Sequence, residues 1–428
     1  MYNHSLLDWP AGVSVHKPEK CYNGYTLVHG RGKWDPVRGA AVDHEPYWHL
    51  IDMSGRVVQK WYGDPTRKAG SQLFEMLANG HFISNGANIV EQDWDGNVVQ
   101  CVQGKRPGAR QQFHHDVQTT AEGLYIGMSN ELMSVPEICK VPLLDDHVMA
   151  FDRDGKMVWD WWCHEHYDQF DISDEGRRLI HEIDGHDDGF DWAHLNTIHS
   201  LPDNPLADAG DERFKPGNLL LNSRNLSFPF IVDWVTGDVV WQWSNKPPGA
   251  SRACVVQSVD ETAHCLVGPH DAKMLDNGNI LIYDNGGHAG YPLIVRFYTR
   301  LVEVDPVTGR VVWEYYHRDK SSKWLSINTG GMQRLPNGNT LSLATNQGRV
   351  FEVTPQGEIV WEYANPRGGF YRTQRIAYED CPEANPFYME TDGHLGTTPA
   401  KIEPLARMGL PVAGTADYCP HSVLTNRS

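Results

Sequence analysis

One two-part pattern recurs along this chain and restricts its fold more than any other feature. The clearest copy is GPHDAKMLDNGNILIYDNG, from Gly268 to Gly286, followed by LVEVDPVTGRVVWEY, from Leu301 to Tyr315. Each half is a run of alternating apolar residues, a glycine turn and a second alternating run. Alternation at period two with Val, Ile, Tyr and Trp enriched is a strand signal, and the turn makes each half a hairpin. Weaker copies follow Asn23, Leu73, His114, His194 and Gly331. No stretch shows the 3.6-residue period of a helical repeat. Six units of four antiparallel strands predict an all-β fold, a six-bladed β-propeller with long inter-strand loops and a C-terminal tail. We expect one propeller domain over residues 1–378 and a tail over 379–428 packed on it.

The second halves agree in detail. Four residues after their turn glycines stand Trp159, Trp241, Trp313 and Trp361, and two further on stand Trp61, Trp161, Trp243, Tyr315 and Tyr363. This spacing puts both positions on one strand face, where they read as aromatic packing between blades. The long connections, Cys163 to Asp191 and Lys246 to Val267, are expected to gather over one end of the propeller. The histidines of the first connection, His164, His166, His181 and His186, read as a solvated acidic loop. Past Tyr363, the run GGFYRTQRIAYED has strand character. Returning to complete the first unit, it would carry Tyr371 or Arg372 toward the channel.

Composition removes several classes. The chain has 428 residues, 40% of them apolar, ample for a large core, and a net charge of −18, which argues against nucleic acid as a partner. Its eight cysteines are scattered, with no CxxC pair to suggest a zinc ribbon or a redox site. The first residues lack the basic and apolar regions of a signal peptide, and no apolar run reaches membrane-spanning length. The expectation is a cytoplasmic protein with no membrane partner.

Function is sought in the first halves. Eight residues before the turn glycine stand His270 in the fifth unit, His115 in the third and His16 in the first. In the fourth unit an insertion disturbs the spacing, and DWAHLNTI suggests His194. In a propeller the first strand of each blade lines the channel, so His115, His194 and His270 are expected to converge, with His16 a weaker member. Converging imidazoles suit proton transfer, nucleophilic attack or metal binding. Arg224 follows the equivalent strand of the fourth unit and could hold a tetrahedral oxyanion by charge-assisted hydrogen bonds. His114 is expected to face away from the channel.

These motifs resemble those of the arylsulfotransferase-like β-propellers. The resemblance is carried by DWAHLNTI, NSR (Asn222 to Arg224), PHDAKMLDNGNILIYDNG, GGMQRLPNGNTL and the repeated VVWEY. It implies transfer of a sulfuryl group from one phenol to another, through a histidine nucleophile and without a nucleotide donor. His194 matches the histidine of the family's W-x-H-x-N motif, with Asn196 beside it, and His270 and Asp271 match its H-D-A motif. His288 stands where the family commonly has an arginine. The family's nucleophilic histidine has no match here, where the sixth unit has Gly330, Gly331 and Met332.

Two catalytic readings follow. The first is an arylsulfotransferase-like enzyme acting on a small phenolic substrate without a cofactor. His194, His270, His115 and His288 would be its catalytic residues, with Arg224, Asn196, Asp271, Tyr371 and Arg372 contacting substrate. The alternative is a metal-dependent lyase or hydrolase, in which His115, His194 and His270 hold a divalent metal such as zinc. A propeller that only binds a partner would keep the fold and need none of these histidines.

Overall fold

A computed structural model describes residues 12–29, 34–35, 40–41, 47–64, 73–104, 109–111, 113–186, 188–243, 254–255, 265–317, 324–364 and 371–384. The fold is an all-β, six-bladed β-propeller. The chain divides into two compact units. One comprises residues 1–84, 91–99 and 330–428, and the other 85–90 and 100–329.

In the first unit, blade one is built from both ends of the chain. Its strands are Thr373–Ile376, Tyr25–His29, Tyr47–Ile51 and Val57–Tyr62, in that order across the sheet. Blade six follows the chain through Met332–Arg334, Thr340–Ala344, Arg349–Val353 and Ile359–Ala364, and the strand Gly12–His16 adds to its outer edge. There His16 pairs with Trp361, so it belongs to an outer edge and not to the column of first strands. The reason is that Thr373–Ile376 fills the first-strand place of blade one. Just beyond it, Tyr378 packs edge-on against Tyr25, whose hydroxyl donates to the Ala384 carbonyl at 3.0 Å. The rest of the expected tail, 385–428, lies outside the described residues. The second repeat forms the sheet Val98–Gln103, Asn88–Gln92, Phe82–Ser84, Phe74–Met76.

The second unit holds blades three, four and five. Blade four runs Leu195–Ser200, Leu219–Ser223, Phe228–Val232, Val239–Gln242; blade five runs His270–Met274, Ile280–Asp284, Arg300–Asp305, Arg310–Tyr315. Blade three contains Val117–Thr119, Tyr125–Met133, Leu143–Phe151 and Met157–Trp162. A small sheet of Cys254–Val255, Ile294–Arg296 and Gly287–Ala289 is inserted in the fifth repeat. The connection after Cys163 contains the helix Asp174–His181, capped by Ser173. Two of its four histidines pack, His164 bonding Asp145 at 2.7 Å and His166 stacking on Trp161 at 4.8 Å, while His186 is exposed as expected of a solvated loop.

Local chemistry explains the repeats. In the outer hairpins an aspartate opens the turn and its carboxylate accepts backbone N–H groups, as Asp152 does from Asp154 and Lys156. Gly155 then takes φ 77°, a conformation costly for other residues. The outer-strand tryptophans cap the next blade's turn. Trp161 donates to the Gly237 carbonyl, Trp241 to that of Pro306 and Trp361 to that of Met53, at 2.9, 2.9 and 3.0 Å. A second ladder lies on the first strands. Gln118 accepts the Ser200 N–H at 2.6 Å, Gln333 that of Arg375 at 2.6 Å, and Gln374 that of Met76 at 2.8 Å. Each glutamine satisfies a backbone donor that an edge strand would otherwise leave unpaired. His199 takes the same place toward Met274.

Candidate functional site

The chemistry-bearing residues of the second unit converge where blades three, four and five begin. The first hairpins turn at Thr120, Leu201 and Leu275, each of which accepts the N–H of its turn glycine. Five residues before these stand His115, Asn196 and His270. Asn196, and not His194, therefore shares the register of His115 and His270. His194 comes from just ahead of its strand, because the glycine that closes the blade-four turn, Gly217, lies beyond the inserted segment.

His115 and His194 nonetheless meet. Their Nε2 atoms are 3.0 Å apart and their ring centroids 4.8 Å. A hydrogen bond between two imidazole nitrogens needs one proton, so one ring donates and the other presents its lone pair. The far nitrogen of His194, Nδ1, lies 2.5 Å from Asp191 Oδ2. Asp191 is three residues upstream in D-W-A-H, a residue the sequence reading passed over. The result is a chain, Asp191–His194–His115, in which a carboxylate orients one imidazole and the other shares its proton.

Both histidines are held in left-handed backbone, with φ 55° at His115 and 54° at His194. A residue with a Cβ pays roughly 1–2 kcal/mol there, and such strain persists only where the surroundings impose it. They do so here. The Asp116 amide bonds back to the His114 carbonyl at 2.7 Å, and the His194 carbonyl accepts from the Arg224 amide at 3.0 Å. Trp192 anchors the segment by donating from Nε1 to Asp145 at 2.9 Å, and Tyr291 donates to the Trp192 carbonyl at 3.0 Å.

His270 is arranged differently. Its Nδ1 lies 2.8 Å from Asn285 Oδ1, and its Nε2 accepts the Thr329 amide at 3.2 Å. The Asn285 amide nitrogen donates to the carbonyls of Ser326 and Thr329 at 2.7 and 2.8 Å, which fixes its oxygen toward the ring. His270 is thus a neutral Nδ1–H tautomer with both nitrogens engaged. Its ring lies 6.1 Å from that of His115. The Nε2 lone pair of His270 is thus turned to the Thr329 backbone and its Nδ1 proton to Asn285. Among the described residues no group of three His, Cys, Asp or Glu side chains is arranged to hold a metal.

The other expected residues fall in several places. Arg224 is half-buried, bonds Asn225 at 2.7 Å and lies close enough to Asp191 and Tyr291 for their charges to interact; burial pulls its pKa down. Asn196 is buried and donates to the Pro269 carbonyl at 2.9 Å while accepting from Asn222 at 2.8 Å, so it braces the backbone ahead of His270 instead of facing solvent. Asp271 is buried at φ 47°, 3.7 Å from Lys273. His288 is exposed in the inserted sheet. In the first unit Tyr371 is buried, and Arg372 packs over it and donates to the Gly330 carbonyl.

The family profile described as Arylsulfotransferase (ASST) matches residues 13–349, which include every strand of blades two to five. The chain is an arylsulfotransferase family member. No curated protein sequence matches it. Among solved structures, a protein of unknown function from Bacteroides caccae shares 12% identity over 82% of this chain and 98% of its own, with a TM-score of 0.49. Virginiamycin B lyase from Staphylococcus aureus shares 11% over 83% and 84%, with a TM-score of 0.41. Likenesses this distant have no bearing on function. Membership points to a transferase in general terms. Among the described residues no helix is long and apolar enough to cross a membrane.

Proposed function

We propose that this arylsulfotransferase moves a sulfuryl group between phenols, with His115 as nucleophile and His194 as acid and base. The observation that carries the reading is the chain of contacts from Asp191 through His194 to His115, 2.5 Å and then 3.0 Å. With the shared proton on His194 Nε2, that ring is an imidazolium paired with Asp191, and His115 Nε2 presents a lone pair. His115 attacks sulfur; an N–S bond forms and the S–O bond to the donor phenol breaks. The departing phenoxide takes the Nε2 proton of His194. An acceptor phenol then returns a proton to His194 and its oxygen attacks sulfur, which releases His115. Charge and protons balance in each half, as in other activated-nucleophile mechanisms. Arg224 is the cation we assign to the sulfuryl oxygens, where a guanidinium suits three acceptors.

The test is incubation with a chromogenic aryl sulfate and an acceptor phenol. We expect phenol release that depends on the acceptor, a mass gain of one sulfuryl group on the peptide carrying His115, and loss of both in His115→Asn. His194→Asn is expected to slow the reaction by roughly 100-fold or more. Absence of phenol release from the wild-type protein, or a His115→Asn protein of undiminished activity, would refute it.

A further inference from the structure

Behind the histidine pair stands a carboxyl that the reaction above does not use. The strand Leu143–Phe151 carries Asp145 and Asp146 side by side, and both are buried. Asp145 turns to Trp192 and His164. Asp146 turns the other way. One of its oxygens accepts the Leu195 amide at 2.9 Å, the peptide that follows left-handed His194. The other lies 3.6 Å from Nε2 of His114. His114 is buried and packs edge-on against His115, with centroids 5.0 Å apart and planes at 79°. One carboxyl therefore reaches both members of the pair, each through a single intermediary.

We propose that Asp146 is a positioning residue for the His115–His194 pair, acting on one ring through the Leu195 amide and on the other through His114. Two orientations have to be right for an Nε2-to-Nε2 contact, and each histidine sits on strained backbone that would relax if released. The Leu195 bond fixes the peptide plane from which His194 projects. The His114 ring, set between Asp146 and the backbone of Ser129, gives His115 a wall to lie against. The electrostatics agree. Burial, helped by Asp191 and Asp145, pushes the Asp146 pKa well up, while the amides of Leu195 and His194 oppose this. Burial, with the His194 charge adding to it, lowers His114 to about 4. Cys163, also buried, feels Asp145 and Asp146 and is pushed up. Burial thus disfavours charge on Asp146, His114 and Cys163 behind the pair, in keeping with a role that holds the two rings in place.

The proposal rests on the pair being the chemical centre, and its test reads the pair directly. In the full chain, ring-nitrogen NMR of histidine compares wild type with Asp146→Asn and Asp146→Leu, with circular dichroism as the check of folding. Asparagine keeps an oxygen for the Leu195 amide and is expected to preserve the His115–His194 shared-proton signal. Leucine removes it and is expected to shift or abolish that signal in folded protein, with kcat on an aryl sulfate down roughly 10–100-fold and KM little changed. Folded Asp146→Leu with unaltered ring signals would overturn the proposal. If that variant does not fold, His114→Phe takes its place: a changed His115 signal supports the proposal and an unchanged one overturns it. A wild-type protein with the shared-proton signal but no turnover would refute sulfuryl transfer and leave the role of Asp146 standing.

Discussion

Replacing Asp284 by asparagine tests how much one buried charge does for the second unit. Asp284 is fully buried between two arginines that are themselves buried. One oxygen accepts from Arg296 at 2.6 Å and from Arg300 at 2.7 Å, and the other accepts the Val267 amide at 2.8 Å. Burial alone would raise its pKa, but Arg296 and Arg300 outweigh that and hold it below the usual carboxylate value. Asparagine keeps the shape but must aim an NH2 group either at Val267 N–H or at the two guanidinium groups. Either way donors face donors, and a buried positive charge loses its counterion. Breaking a buried pair from one side costs about 3–5 kcal/mol. At about 2–4 °C per kcal/mol for a unit of this size, Tm falls by roughly 6–20 °C. The assay is thermal unfolding followed by near-ultraviolet circular dichroism, with urea midpoints alongside. Because the folded pKa lies below the unfolded one, the advantage of aspartate is fully present above pH about 4 and is lost as the pH falls through the folded value. The control is Glu358→Gln, at a surface cluster with Lys17 and Lys20, for which no change in Tm is expected. An Asp284→Asn protein as stable as wild type at pH 7 would refute the reasoning.

Two further outcomes are expected. Burial, with Lys273 beside it, lowers the pKa of His199 to about 4, so the unfolded chain takes up that proton first as pH falls from about 6.5. Stability is lost over that window, and His199→Gln, which installs the residue used at the equivalent positions 118, 333 and 374, should flatten the slope by up to about 1.4 kcal/mol per pH unit in urea titrations. Trp361→Phe removes the bond to the Met53 carbonyl from a fully buried site and should cost roughly 1–3 kcal/mol, measured as the urea midpoint multiplied by an unchanged m value.

Much of the fold was readable because its determinants are local. Turn glycines, aspartates and alternating strands act within a few residues, and the aromatic positions after the turns are the ones that cap neighbouring blades. What could not be read depends on contacts distant in sequence. The place of His16 is decided by its pairing with Trp361, and the register of blade four by an insertion that moves Gly217 away from its strand. The meeting of His115 and His194 was foreshadowed by their motifs, but the different fate of His270 was not. Asn285 lies within the quoted DNG motif, yet nothing in that motif says its side-chain oxygen turns to a ring 15 residues earlier. Asp191 was legible in principle, three residues before His194, and was overlooked because a carboxylate at that spacing is usually a helix feature and here lies in a loop.

The pairing of Thr373–Ile376 with Tyr25–His29 also bears on how the protein is made. Thr373 bonds to the carbonyl of Leu27, 346 residues away. At about 5–20 residues per second a ribosome needs roughly 17–70 s to supply that partner. Throughout that interval the nascent chain carries an unfinished first blade, whose open strand edge can recruit a stranger's strand in place of its own. Shielding of this amino-terminal edge until Thr373–Ile376 has been made is therefore expected to raise the yield of folded protein.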